Sequence, residues 1–319
     1  MDFQILLANL TNPTILFFLL GILATVIKSD LEIPESSSKF ISLYLLFAIG
    51  FKGGQELAHT KLEIEIFYSI LFGLGIASII PIYTFFILKQ KVSISNAGAI
   101  AATYGSVSVV TFVSAVTFLE LQQLTFSGHM VAVMAFMESP SIIVGVLLMA
   151  YFDKNNKNSN LVPMLKHSLT NGSVLLIFGS LVIGFVADSK QAQGIQHFTT
   201  DIFKGFLSIF LLEMGMVTAR RFGAFKKHGI FLSAFAIIIP IINGCLIAYL
   251  SSCVTSDVGN RFIFAILAAS ASYIAVPAAL KLTAPNADPG IYIPMALGVT
   301  FPFNISIGMP LYLSIVINS

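Results

Sequence analysis

Two stretches decide how this chain folds: Ala101-Ala102-Thr103-Tyr104-Gly105-Ser106-Val107-Ser108, and Ala268-Ala269-Ser270-Ala271-Ser272-Tyr273-Ile274-Ala275, offset by 167 residues. Each is a small, hydroxyl-rich patch in the middle of an apolar run. Gly105 withdraws side-chain support from a helix, and Pro277, just after the second patch, withdraws a backbone donor. Lipid tolerates such an interruption only where the freed backbone groups find partners or line a cavity. The pattern predicts two helices that break at mid-membrane. The N-terminus of each second half-helix then faces a shared cavity, where free N–H groups and the positive ends of two dipoles make an anion site without a basic residue. Small residues in membrane helices also mark tight packing. Their recurrence at equivalent places in two halves of one chain favours the site.

The surroundings fix the class. Of 319 residues, 56% are hydrophobic and 10% charged, and the mean hydropathy is +0.91. A soluble domain carries roughly 25% charged residues, so this composition implies an integral membrane protein. Its apolar runs are continuous rather than alternating, which selects helices over a barrel. Ten spans are predicted, at 13–29, 38–58, 64–88, 95–119, 127–152, 169–187, 198–220, 229–251, 259–282 and 289–317. The first has no basic n-region and no small-residue cleavage site, so it is expected to be a retained span. A polar linker, Asp153 to Ser168, divides five spans from five, giving repeats 1–158 and 159–319.

Other words recur in the same order. Ile79-Ile80-Pro81-Ile82 in span 3 matches Ile238-Ile239-Pro240-Ile241 in span 8, and Glu138-Ser139-Pro140 in span 5 matches Thr300-Phe301-Pro302 in span 10. The side that holds the termini carries five basic residues, and the side that holds the central linker carries twelve. The positive-inside bias therefore places both termini outside and the linker in the cytoplasm. With an odd number of spans per half, the second repeat is inverted, a common construction of secondary transporters.

Charges inside the spans are few. Glu138 and Glu213 lie well within apolar runs, and Lys52 lies in a Gly-rich part of span 2. Buried ionisable groups in a membrane default to a functional reading. Glu138 beside Ser139-Pro140, with the hydroxyls of Thr103 and Thr300 and the amide of Asn304, is a candidate Na+ site, since a hard cation takes oxygen ligands. Glu213 and Lys52 are equally open to pairing or snorkelling. No arginine falls within a predicted membrane core, whereas a di- or tricarboxylate carrier would clamp its substrate with guanidinium groups. Helix ends and hydroxyls suit a small monovalent anion.

Several classes lose support. The net charge of +2 is too small to suggest nucleic acid. The five histidines fall near span ends, which argues against a metal cluster, and Cys245 and Cys253 are expected to serve packing. No nucleotide-binding or hydrolase motif occurs. An intramembrane enzyme acting through Ser272 or Glu138 would lack an evident base for the serine, so the chain is expected not to be an enzyme. A non-transporting sensor is a third alternative.

These same words resemble the sodium-dependent bicarbonate transporter family first known from cyanobacteria, in its broader bacterial form. The matching stretches are Phe51-Lys52-Gly53-Gly54, Tyr104 to Ser108, Phe136-Met137-Glu138-Ser139-Pro140, Met214-Gly215-Met216, Ala269 to Ala279, and Leu297 to Asn304. The resemblance implies a five-plus-five inverted fold with core and gate domains, a homotrimer, and elevator-like import of bicarbonate with Na+ across the bacterial inner membrane, with no other cofactor. It maps the anion onto Gly105, Ser106, Val107 and Ser108 and onto Ser270, Ala271, Ser272 and Tyr273. A Na+-coupled carrier of another small anion, such as a monocarboxylate, is the nearest alternative. The chain departs from the cyanobacterial pattern at Tyr273, where those members carry an acidic residue. Its central linker is also short, where those members have a longer segment and a regulatory partner similar to the PII signalling proteins.

Overall fold

The computed structural model describes residues 13–59, 64–152, 172–225, 229–284 and 286–319, and among them all regular structure is helical. The central linker, with the boundary between the repeats, lies outside the described residues. The helices are α1 (Pro13–Val26), α2 (Glu35–His59), α3 (Ile64–Leu88), α4 (Ile94–Gly105), α5 (Val109–Leu121), α6 (His129–Phe152) and α7 (Gly172–Val186). They continue with α8 (Ser189–Gln193), α9 (Phe203–Phe225), α10 (Gly229–Leu250), α11 (Val258–Ala269), α12 (Ala275–Thr283), α13 (Pro289–Met295) and α14 (Met309–Asn318). Among the described residues six stretches are long and apolar enough to cross a membrane: Ile64–Leu88, Ile94–Leu121, His129–Phe152, His197–Arg220, Gly229–Cys253 and Pro289–Asn318.

Helix pairing follows glycine. α1 lies along α9, and α2 lies along α7. A Cβ on Gly21 would run into the Leu212 carbonyl, and one on Gly215 into that of Phe18. Across the other pair, Gly54 meets the Leu181 carbonyl and Gly184 that of Phe51. Bare backbone on both sides lets each pair close to van der Waals contact, the main attraction available between helices in lipid. The same crossed pattern thus occurs twice, first span against seventh and second against sixth.

The remaining helices enclose the broken ones. α4 is flanked by α3 and α6, and α11 by α10 and α14. Every residue from Ala97 to Gly105, and from Gly259 to Ala269, is buried. Small side chains make this possible: Gly98 packs against Met149, and Gly145 against Ala102. Asn260 reaches out of α11 to hold the turn before α6, its Oδ1 accepting from the Ser127 amide at 2.7 Å.

Three details differ from the sequence reading. α6 runs as unbroken α-helix through Pro140, so the loosened backbone expected beside Glu138 does not form. At the matching Pro302, the helix widens instead into π turns, Ala296–Thr300 and Asn304–Gly308, around one α turn at Phe301–Phe303. Such bulges re-aim side chains within an otherwise regular helix. Arg261, one of the five basic residues counted on the side of the termini, is buried. Its guanidinium donates to the carbonyls of Val316 and Ala248, each at 3.1 Å, and to the Ser319 hydroxyl. It thereby caps the C-terminal ends of α14 and α10. Both cysteines are free.

At the opposite end of α2 from Glu35, Glu120 of α5 pairs with Lys204 at 2.9 Å and Lys52 at 3.8 Å. Lys52 therefore pairs, and all three side chains stay at least one-third exposed. Exposed pairs contribute about 0–1 kcal/mol. Glu120→Gln is accordingly expected to lower stability by no more than about 1 kcal/mol, read as a shift of one or two degrees in thermal unfolding of the detergent-solubilised protein.

Candidate functional site

The two interruptions lie against each other. α4 ends at Gly105, and its chain runs extended through Ser106 to Ser108 before α5 begins. α11 ends at Ala269, and four further residues separate Ser270 from α12. Unwinding frees backbone groups, and each break satisfies part of the other. The Ser272 amide donates to the Thr103 carbonyl at 2.8 Å. The Ser108 amide donates to the Ser270 hydroxyl oxygen at 3.0 Å, while that hydroxyl donates to the Leu267 carbonyl at 2.8 Å.

A serine side chain meets a first-turn amide of both second half-helices. Ser108 caps α5 by accepting from the Thr111 amide at 3.2 Å, and the Ser272 oxygen accepts from the Val276 amide at 3.4 Å. Accepting leaves each O–H free to donate elsewhere. Among the described residues the amides of Val109, Val110 and Ala275 donate to no protein group. These are the orphan donors of two helix N-termini, and the dipoles add to them.

A cavity of about 440 Å³ meets these groups. Its inner wall is formed by Val107, Ser108, Val109, Val110, Ser272, Tyr273, Ile274 and Ala275, with Glu138. It extends between α2 and α9, past Glu213 and Met214, to Ser38, Lys39 and Glu35 at the start of α2. Glu138 is 3% exposed and makes no ion pair among the described residues. Its backbone carbonyl accepts from the Ser106 hydroxyl at 3.2 Å, which fixes α6 to the first break.

Of the eight residues expected to bind the anion, the structure brings Val107, Ser108, Ser272 and Tyr273 to the cavity. Gly105, Ser106, Ser270 and Ala271 lie behind it and build the crossing. A Cβ on Gly105 would strike the Ser141 hydroxyl and the Pro81 ring, so the glycine is needed for close approach. The sequence reading expected free N–H groups at both second half-helices, but its named residues stop before Val109, Val110 and Ala275, which carry them. The spacing Ser108-x-x-Thr111 carried that signal, since a serine cap leaves the next two amides free.

The expected cation ligands divide. Glu138 faces the cavity, and the buried Thr103 hydroxyl has no hydrogen-bond partner. Thr300 is engaged elsewhere, lying 2.8 Å from the Tyr104 hydroxyl and donating to the Ala236 carbonyl at 2.7 Å. The Asn304 amide donates to the Ala269 carbonyl at 2.8 Å and its oxygen accepts from Tyr312. Neither lines the cavity. Both π turns thus brace α10 and α11, and Thr300 and Asn304 hold the second break in place. Among the described residues no cluster of His, Cys, Asp or Glu suits a transition metal.

Apolar helices thus surround a cavity onto which two helix N-termini and the buried carboxylate of Glu138 open, an arrangement suited to a membrane transporter of small ions. The chain belongs to the Na+-dependent bicarbonate transporter superfamily, whose family model matches residues 13–317, nearly its whole length. A search of curated proteins finds no match.

Proposed function

We propose that the protein imports bicarbonate together with Na+ by alternating access. The observation that carries this reading is the convergence of three unclaimed amides and two donor-ready serine hydroxyls on one cavity that also holds Glu138. Bicarbonate is small, planar and singly charged, and such donors stabilise one negative charge without a guanidinium clamp. Na+ at the Glu138 carboxylate, with the Thr103 hydroxyl nearby in the first break, would offset that charge as the pair crosses the membrane. Each ion then improves the other's site, which is coupling in the thermodynamic sense.

The inverted five-plus-five arrangement is supported by the doubled glycine-mediated pairing of α1 with α9 and α2 with α7, and by two interrupted helices at matching places. In this reading α1, α2, α7 and α9 form a fixed frame, and the helices around the two breaks move as a body against it. The cavity reaches Lys39 at the start of α2, on the side that carries the excess of basic residues, so in this reading the conformation opens toward the cytoplasm and both termini lie outside the inner membrane.

Proteoliposomes given labelled bicarbonate should accumulate it only under an inward Na+ gradient. Uptake indifferent to Na+ would reject the coupling. Formate, acetate and nitrate as competitors separate bicarbonate from the other small-anion reading. Ser108→Ala and Ser272→Ala should each raise the bicarbonate KM about tenfold, because a hydrogen bond to a charged group is worth about 1.5–3 kcal/mol. Unchanged KM values would place the anion elsewhere.

A further inference from the structure

A hydrogen-bond path outside the cavity runs from the second half of the chain into the first break. It begins at Pro240, inside α10. Proline has no N–H, so the Ala236 carbonyl four residues earlier loses its helical donor. Ala236 is fully buried, and a buried acceptor without a donor is costly. The Thr300 hydroxyl supplies the donor, at 2.7 Å. A hydroxyl carries one proton. With that proton given to Ala236, the 2.8 Å contact between Thr300 and Tyr104 has a single direction: the phenol donates and the threonine oxygen accepts. Tyr104 and Thr300 are each 1% exposed, so water does not compete for either group. Phe235, beside Ala236 on α10, holds the phenol ring edge-on with the centroids 5.2 Å apart.

Tyr104 stands where the first break begins. The Thr103 carbonyl before it accepts from the Ser272 amide at 2.8 Å, and Gly105 after it ends α4. The extended turn that follows leads directly to Ser108 and the free amides of Val109 and Val110. We propose that Thr300 is a positioning residue for the anion. Through Tyr104 it fixes the first break, and the carbonyl opened by Pro240 is what orients it. The arrangement occurs once. Pro81 of the first half matches Pro240, but the residues that match Thr300 and Tyr104 are Glu138 and Ala271. Ala271 has no hydroxyl, and Glu138 faces the cavity instead. Of two equivalent positions, one lines the ion path and the other locks the crossing. The inference rests on the bicarbonate transport proposed above, and it takes Thr300 out of the cation site.

The test is bicarbonate uptake by the full-length protein in proteoliposomes at saturating Na+, with KM and Vmax read separately. Thr300→Val keeps the shape and strands both the Ala236 carbonyl and the Tyr104 phenol. It should raise the bicarbonate KM about tenfold, with Vmax per folded protein within about twofold of wild type. Thr300→Ser should retain the wild-type KM. Tyr104→Phe cuts only the link to the break and should raise KM about threefold. It removes a single hydroxyl, so it carries the test if Thr300→Val fails to fold. Added to Thr300→Val it should change nothing further, because both act through one contact. Pro240→Ala returns an N–H to the Ala236 carbonyl, so Thr300→Val/Pro240→Ala should fall back to about the threefold level of Tyr104→Phe. Additive effects of the two single variants overturn the proposal, as does a Thr300→Val defect that Pro240→Ala does not relieve. A Thr300→Val variant with a shifted Na+ requirement and an unchanged bicarbonate KM also overturns it, by making Thr300 a cation ligand. If wild type takes up no bicarbonate, the transport reading itself fails. If wild type transports and every variant keeps its KM, only the positioning role fails.

Discussion

Glu138→Gln is expected to abolish Na+-driven bicarbonate uptake and leave the protein folded. The carboxylate is 3% exposed, faces the cavity, and has no ion-pair partner among the described residues. Glutamine keeps the shape and removes the charge. Truncating one partner of a buried charge pair costs about 2–5 kcal/mol. The Na+ requirement should therefore rise on the order of 100-fold, each 1.4 kcal/mol being a factor of ten. Uptake measured against external Na+ gives the answer, with thermal unfolding in detergent as the control for folding. A variant with the wild-type Na+ dependence would remove Glu138 from the cation site. One that loses bicarbonate affinity at saturating Na+ would place the residue on the anion instead.

The second large effect concerns assembly. Gly54→Val and Gly215→Val are expected to prevent accumulation of folded protein. Each would drive a side chain into backbone of the facing helix, Leu181 in one case and Phe18 in the other. Backbone cannot rotate aside as a side chain can, so the helices must separate and lose their contact along its length. Overpacking of this kind costs about 1–3 kcal/mol, and more where nothing can give. Gly179→Ala supplies the contrast. It lies on α7 like Gly184, but a Cβ there meets nothing within 4 Å, and alanine should stabilise the helix by about 0.5–1 kcal/mol. Yield of monodisperse protein and its melting temperature separate the two groups. Equal behaviour of all three would mean that the pairs are not close-packed.

The sequence made the helices legible because lipid leaves few alternatives. Hydropathy placed the six long apolar stretches of the described residues to within a few residues, and the hydroxyl-rich words located both breaks. The cation side was harder to read. Thr300 and Asn304 look like free ligands in a sequence, yet π turns direct them to Ala236 and Ala269. Nothing in the residue pattern distinguishes Pro302, which sits between those turns, from Pro140, which an ordinary α-helix absorbs. The burial of Arg261 was not legible either, because its three acceptors come from two other helix ends. The resemblance mapped the anion onto Gly105, but the space beside it is filled by Pro81 and Ser141.

The hydrogen bonds that join the breaks have a consequence for the chain as a whole. The Ser272 amide closes on Thr103, and the Ser108 amide on Ser270, so neither half contains the acceptor its own open turn requires. A gene for one half alone would yield an unfinished substrate cradle. It would become complete only with the other half beside it. Fusing the halves into one polypeptide makes that pairing certain and fixes its stoichiometry. It also leaves the two breaks free to differ, so that one stands beside Thr103 and the other presents Tyr273.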